Sequence, residues 1–537
     1  MPPIESRLNL SDDAHRRNRE EMIALVDEIR AIEARVRAHA EKRRSRFAAR
    51  GQLTPRERVA QLLDPGRPFL ELSTLAGFKM HDDDGKAGVA GGGNIAGVGF
   101  VSGVRCMVFA NDSAIKGGSV TPMGLKKSLR AQEIALRQRL PCVNLVESGG
   151  ANLLYQSEIF VDGGRIFYNM ARLSAAGIPQ ITVVHGSSTA GGAYLPGLSD
   201  YVIAVRDNAR IFLAGPPLVK AALGEDADEE ELGGAEMHAT VTGTAEYLAE
   251  DDAHALQLTR TLLGHLDWAP EPTSMVGWQP PRYDPDELCG VVPVEPRQPY
   301  DVREVIARLV DGSDLLEFKA GFGINTVCGH ARIEGQAIGV LGNNGPIHPQ
   351  GSVKAAQFIQ LCQQAGLPLV FLMNTTGYMV GRDAEQQGAI KHGSKMIQAV
   401  ANTTVPKVTI IVGGGYGAGN YGMAGRAYSP DFLFAWPNSK VAVMGGAQAA
   451  EVMKIITRAK FARRGQPLVE DVLEHMAGEI QAQLDKEAVA TFASARLWDD
   501  GVIDPRDTRR VLALCLQTAI AGRARRLNPN TFGVARG

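Results

Sequence analysis

The sequence predicts an α/β protein built from two tandem modules related by internal duplication. Landmarks of the first half recur in the second at one constant offset. Leu140-Pro141 returns as Leu367-Pro368, and Glu147-Ser148-Gly149-Gly150 as Asn374-Thr375-Thr376-Gly377. Ile178-Pro179 returns as Val405-Pro406, and Ala190-Gly191-Gly192 as Gly417-Ala418-Gly419. A repeat of such long period governs how the whole fold is read. In each half, short apolar runs bounded by Gly or Pro alternate with helical stretches, the pattern of layered α/β structure.

In chain order, an N-terminal helical segment occupies residues 1–54, with one helix over 11–49. Ser11 is its expected N-cap, followed by Asp12 and Asp13 in the first turn. Leu25, Ile29, Ile32 and Val36 form one apolar stripe at helical spacing. The basic run Lys42-Arg43-Arg44-Ser45-Arg46 reads as a solvated helix end, with contact to the phosphates of an anionic ligand as the alternative. The first module spans 55–267, with strands at 105–110, 142–146, 180–184 and 201–205 and helices at 125–139 and 164–176. Pro270, Pro272, Pro280, Pro281 and Pro285 mark 268–299 as a linker. The second module spans 300–537, with strands at 337–342, 367–373, 407–412 and 432–435.

Composition narrows the classes. A chain of 537 residues with 45% hydrophobic and 22% charged content is an ordinary globular protein. The net charge of −2 gives no electrostatic reason for a nucleic acid or membrane partner. No two of the six cysteines stand in C-x-x-C spacing and the histidines are scattered, so no metal is expected. No secretory or membrane-spanning segment is visible, and the expected location is cytoplasmic. Dinucleotide, P-loop, nucleophile-elbow and zinc-helix motifs are absent from the sequence.

Four glycine-rich turns carry the chemistry: Ser148-Gly149-Gly150-Ala151, Thr189-Ala190-Gly191-Gly192-Ala193-Tyr194, Thr375-Thr376-Gly377-Tyr378 and Gly415-Tyr416-Gly417-Ala418-Gly419-Asn420. Each follows an apolar strand and precedes a helix. Amides there point outward, and glycine lets a ligand approach the backbone. Two modules therefore supply two sets of N–H donors, as a reaction with two oxyanions needs.

Several further motifs stand out: Ala49-Arg50-Gly51 with Thr54-Pro55-Arg56-Glu57-Arg58, Asn111-Asp112 with Lys116-Gly117-Gly118, and Val146-Glu147-Ser148-Gly149-Gly150-Ala151. Phe212-Leu213-Ala214-Gly215-Pro216-Pro217 and Glu231-Leu232-Gly233-Gly234 follow. In the second half they are Asn374 to Gly381, Gly417-Ala418-Gly419-Asn420-Tyr421, Val443-Met444-Gly445-Gly446 and Arg496-Leu497-Trp498-Asp499-Asp500-Gly501. Together these motifs resemble the carboxyltransferase (β) subunit of biotin-dependent acyl-CoA carboxylases, in the crotonase superfamily. Gln52 stands where the family usually has lysine. The resemblance covers nearly the whole chain and implies two crotonase-like (β-β-α superhelix) domains.

It also implies roles. The amides of Gly191 and Gly192 would hold a thioester enolate oxygen, and those of Ala418 and Gly419 the ureido oxygen of biotin. Gly149, Gly150, Ala151, Gly163, Gly164, Ala190, Tyr194 and Lys116 would meet the acyl-CoA; Gly377, Tyr378, Gly417, Asn420 and Tyr421 would meet biotin. No side-chain base is implied, so catalysis would be directed by main chain. Carboxybiotin would arrive on a separate α subunit holding the biotin carboxylase and biotin carrier. The assembly would be a trimer of β dimers in an α6β6 holoenzyme, with active sites joining the first module of one subunit to the second of another.

Within the family, the chain looks nearest to the enzymes for branched unsaturated acyl-CoA. The methylcrotonyl pattern Asp-x-x-His-Phe-Gly-Arg-Ile-Phe is here the shorter Val161-Asp162-Gly163-Gly164-Arg165-Ile166-Phe167. Gly163 replaces a bulky aromatic, and the opened space favours geranyl-CoA. Methylcrotonyl-CoA is the alternative. A hydratase or decarboxylase on the same fold and a non-catalytic scaffold remain as other classes.

Overall fold

The computed structural model describes residues 3–86, 89–266, 268, 277–295 and 298–535. The chain divides into two compact units, each holding one sheet. One comprises Arg30–Thr273, Ala495–Leu497 and Thr518–Gly537; the other comprises Met1–Ile29, Ser274–Ser494 and Trp498–Gln517.

The first sheet contains β1 (Leu70–Glu71), β2 (Asn94–Val101), β3 (Val104–Asn111), β4 (Cys142–Ser148), β5 (Gln180–Thr189), β6 (Tyr201–Val205), β7 (Arg210–Phe212) and β8 (Tyr247–Ala249). Its order is β1-β2-β3-β4-β5-β6-β8, with β7 pairing the end of β5. The second contains β9 (Leu316–Glu317), β10 (Thr326–Ile333), β11 (Gln336–Asn343), β12 (Leu369–Thr375), β13 (Lys407–Tyr416), β14 (Phe432–Ala435) and β15 (Lys440–Ala442). Its order is β14-β13-β12-β11-β10-β9, with β15 pairing the end of β13. In each sheet an antiparallel hairpin leads into parallel strands. The hairpins turn on Ser102-Gly103 and Glu334-Gly335, all four at positive φ. That is the two-residue turn whose twist matches the strands. The parallel strands are buried apolar runs, such as Val143, Leu145, Ile181 and Val183 in one sheet and Val370, Phe371, Ile410 and Ile411 in the other.

The duplication reaches down to irregularities. The β4–β5 register shifts between Val146 and Ser148, and the β12–β13 register shifts at the matching positions, between Met373 and Thr375. Isolated bridges Val120–Ala151 and Ile347–Tyr378 repeat at the same interval. Helices Pro122–Gln138 and Pro349–Ala365 both begin with proline, where its missing N–H is harmless. Each is anchored by a fully buried lysine beside an Arg–Glu pair. Lys127 donates to Gly91 O and Asn94 O, near Arg56–Glu71; Lys354 lies 3.9 Å from Glu317, which pairs with Arg303.

Several expectations need correction. The N-terminal helix is Asp13–Glu41, with Arg44–Ala48 as a separate turn. The break lets Phe47 bury against Ala40 and Ala114, and Arg43 donate to Ala114 O. Asp12, not Ser11, caps it by accepting the Ala14 N–H. In the basic run, Arg44 pairs with Glu41 and Glu57. The helix expected at 164–176 starts eight residues earlier, as Gln156–Ala175, so Gly163 and Gly164 lie inside it. In the stretch read as a linker, Pro270 and Pro272 lie outside the described residues, while Leu288–Val291 is a buried helix. The last segment packs with the first sheet's unit: Arg105 donates to Thr518 Oγ1, and Gly522 lies against Gln138.

Candidate active site

In open α/β sheets, ligands bind beyond the carboxyl ends of parallel strands. In the first unit, β4 and β5 end side by side there. Ser148 Oγ donates to Gly118 O at 3.1 Å and accepts the Gly150 N–H at 3.2 Å. The Gly149 N–H bonds Gly117 O at 3.2 Å. The amides of Gly149 and Gly150 are therefore occupied, and the turn serves as a wall. β5 leaves through Ala190 at φ +53°, a left-handed conformation unusual without glycine, and enters the short turn Ala190–Ala193.

Beside these turns lies a cavity of about 570 Å3, within the range typical of small-molecule sites. Leu125, Leu145, Ile159, Phe167 and Met170 make its wall apolar. Phe160 and Val161 border it while largely exposed. Gly163 and Gly164 also line it. A Cβ at Gly163 would meet only Ile159 at 4.0 Å, and one at Gly164 nothing within 4 Å. Glycine inside a helix costs about 0.5–1 kcal/mol relative to alanine, so two in one cavity wall mark space kept open.

In the second unit, β12 and β13 end in the matching arrangement. Thr375 Oγ1 accepts the Gly377 N–H at 3.1 Å. Gly417 adopts φ +52°, matching Ala190. Gly419 has no room for a side chain, since a Cβ would stand 2.8 Å from Gly377 Cα. The Tyr378 ring turns inward over Gly393 and Gly422. Asn420 Nδ2 bonds Gly415 O at 3.4 Å, and Tyr421 stacks on Tyr428 with ring centroids 5.6 Å apart.

Residues 46–533 match the carboxyl transferase domain family. The chain belongs to that family. The carboxyl transferase is 48% identical over 535 residues to the probable biotin-dependent acyl-coenzyme A carboxylase beta2 subunit of Mycobacterium tuberculosis, across 99% of this chain and 100% of that one. It is 48% identical to the mitochondrial methylcrotonoyl-CoA carboxylase beta chain of Arabidopsis thaliana, covering 96% of this chain and 88% of the other. The crystal structure of the P. aeruginosa geranyl-CoA carboxylase beta subunit superposes with a TM-score of 0.94 at 57% identity, covering 100% of both chains. The duplicated crotonase-like fold expected from the sequence is thereby established, and so is an enzyme of the biotin-dependent acyl-CoA carboxylases.

Of the residues singled out in the carboxyl transferase sequence, Gly150, Ala151, Gly163, Gly164, Gly191 and Gly192 come together around the cavity. Tyr194 stands behind its wall, its ring centroid 5.4 Å from that of Phe167. Lys116, at φ +48°, pairs with Asp82, which also accepts from Tyr155 Oη at 2.6 Å, in a small adjoining cavity. Gly149 and Ala190 shape the turns without lining the main cavity.

Sequence reading missed what lies beneath the first turn. Arg58, 1% exposed, bonds Glu147 at 2.7 Å and Asp252 at 2.8 Å, and Asp252 bonds His185 Nδ1 at 2.6 Å. Burial pushes the Asp252 carboxyl up, but the His185 bond and the Arg58 charge outweigh it and hold it at about 2. Burial, then Arg58, lowers the His185 imidazole. Gln52, in the family's lysine position, is buried and donates to His185 O at 2.6 Å. Among the described residues, no helix is long and apolar enough to cross a membrane, and no acid, His or Cys group could hold a metal.

Proposed function

We propose that this carboxyl transferase moves the carboxyl group of carboxybiotin to the γ (vinylogous methyl) carbon of geranyl-CoA. The cavity carries that reading. Its apolar wall, opened by Gly163 and Gly164 and continuous with Gly191 and Gly192, suits a branched ten-carbon chain whose thioester lies at the glycine pair. Each buried CH2 contributes about 0.8 kcal/mol, so five carbons beyond a methylcrotonyl group supply roughly 4 kcal/mol. The γ proton would pass to the biotin ureido group once that group has given up its carboxyl as carbon dioxide, and its loss sends charge through the conjugated system to the thioester oxygen. The Gly191 and Gly192 amides hold that oxygen, and each such donor lowers the barrier by about 2.7–4 kcal/mol.

Carboxybiotin supplies the carboxyl group when bound. The second module's residues fit such a group by repeating the first cradle's backbone: Gly417 at φ +52° matches Ala190, and Gly419 closes against Gly377 with no room for a Cβ. The Ala418 and Gly419 amides hold its ureido oxygen, and Gly377, Tyr378, Gly417, Asn420 and Tyr421 build the turns around it. The first module is the acyl-CoA side and the second the biotin side. Biotin arrives on a partner α subunit, and β subunits associate in the cytoplasm as a trimer of dimers within α6β6. Closed symmetry is the usual form for such enzymes.

Methylcrotonyl-CoA is the second reading, favoured by the 48% identity to methylcrotonoyl-CoA carboxylase chains. The holoenzyme, supplied with ATP and bicarbonate, separates the two. A kcat/KM higher for geranyl-CoA than for methylcrotonyl-CoA supports the proposal, and the reverse order replaces it with the second reading. Mixing subunits disabled at Gly163 with subunits disabled at Ala418 should restore activity if each site joins two chains.

A further inference from the structure

The motif Thr54-Pro55-Arg56-Glu57-Arg58 carries an arginine that the reaction leaves unused. Arg58 follows the capping box of Thr54 and Glu57 and points into the first unit. Its Nη1 bonds Glu147 Oε2 at 2.7 Å and its Nε bonds Asp252 Oδ2 at 2.8 Å. Glu147 also accepts from Ser113 Oγ at 2.8 Å and from Arg50 at 3.4 Å. Asp252 also takes the Leu53 N–H at 2.8 Å and His185 Nδ1 at 2.6 Å.

These partners stand at the roots of the first cradle. Glu147 immediately precedes Ser148, which organises the Gly149-Gly150 turn. His185 precedes Gly186, whose position leaves no room for a Cβ because Glu147 Cγ would lie 2.7 Å away. β4, β5 and the loop at Ser113 are thus tied to one guanidinium. Among the described residues the second module shows no such tie: Asn374 and Val412 hold the positions that match Glu147 and His185 in the repeat. There Asn374 Oδ1 accepts the Gly414 N–H at 2.7 Å.

We infer that Arg58 is a positioning residue for the acyl-thioester cradle, aligning β4 and β5 at Glu147 and His185, just before the turns that carry Gly150, Gly191 and Gly192. The inference rests on the proposed acyl-CoA role of that cradle. A shift of β4 against β5 displaces the turns that follow them, and a small misplacement at a reacting centre is costly. A guanidinium serves two carboxylates through separate N–H groups, whereas an ammonium offers a compact point charge. Deleting Arg58 alone would take the nearest cation from both buried acids and endanger folding.

The test therefore neutralises the whole network, as the second module does, in a holoenzyme carrying Arg58→Met, Glu147→Gln and Asp252→Asn together. Arg58→Lys is the companion variant. Expected are an assembly size and Tm close to wild type for the neutralised variant and a KM for geranyl-CoA within about threefold. Its kcat should fall by about 10–100-fold, the scale of a small misplacement at a reacting centre. Arg58→Lys should show the same split at smaller size. An unchanged kcat in the neutralised variant overturns the inference. So does loss of assembly in both variants, which would assign Arg58 to folding alone. A wild-type holoenzyme inert toward both geranyl-CoA and methylcrotonyl-CoA overturns the functional reading beneath it; an active wild type with unaffected variants overturns only the role of Arg58.

Discussion

Ser148 and Thr375 hold matching positions in the two modules and perform one task, each accepting the amide N–H of the glycine two positions on. One residue earlier the modules part company. Glu147 enters a buried ion network with Arg58, whereas Asn374 makes a neutral bond to Gly414. One turn further on they differ again. Gly192 has a modest margin, its nearest neighbour for a Cβ being Ser148 at 3.6 Å, while a Cβ at Gly419 would stand only 2.8 Å from Gly377 Cα. The same backbone path thus survives on charged or neutral foundations and with loose or tight closure. The turns follow from the duplicated strands; what lies below and beside them is free to specialise.

The sharpest way to break the comparison is to remove one N–H from the tighter cradle. Ala418 lies in the first turn of helix Gly417–Gly422, where the N–H that proline removes has no intrahelical partner. Ala418→Pro should lower kcat by about 10²–10³-fold, as expected for one lost donor, whereas Ala418→Ser should leave it nearly unchanged. Steady-state carboxylation assays read both.

On the other module, Gly163→Phe should fill the cavity. Geranyl-CoA kcat/KM should fall about 100-fold, within the range set by burying five carbons, with a far smaller change for methylcrotonyl-CoA. Equal losses would remove Gly163 from selectivity. Misfolding is not expected to confuse the result, because phenylalanine is a better helix former than glycine.

Closure is compared by paired alanines. Gly419→Ala should destabilise by about 1–3 kcal/mol through overpacking, and Gly192→Ala by less, measured by thermal unfolding. The smallest effect concerns acid. His185 is lowered from 6.5 by burial first and Arg58 second, so the folded state binds fewer protons there than the unfolded one. Its contribution to stability is present above pH 6.5 and is lost as pH falls below it. Tm should drop between about pH 7 and 5, and His185→Gln should flatten that part of the slope. Val412, at the matching position, cannot titrate.

The parallel strands were legible because strands buried on both faces are continuous apolar runs; 201–205 and 432–435 match β6 and β14 residue for residue. The paired turns were legible because Gly150 and Gly192 recur as Gly377 and Gly419 at one interval, beside the repeated Leu-Pro and Ile/Val-Pro landmarks. β2 and β10 were missed. Gly97, Gly99 and Gly329 interrupt their pattern, and a Cβ at each would lie under 3.0 Å from a neighbouring strand or side chain. The start of helix Gln156–Ala175 was hidden because Gly163-Gly164 resembles a boundary when glycine is assumed to mark turns. Arg58 stood in a recognised motif, yet its partners lie 89 and 194 residues away, and no local pattern announces them.

Every described residue bordering the large cavity falls between Gly92 and Leu195. On the proposed assignment of the two modules, appetite for longer or shorter acyl chains can drift within one stretch of the gene while the half proposed to receive the carboxyl donor stays constant. Exchanging that stretch among relatives is a direct route to enzymes with new acyl preferences and an unchanged partner.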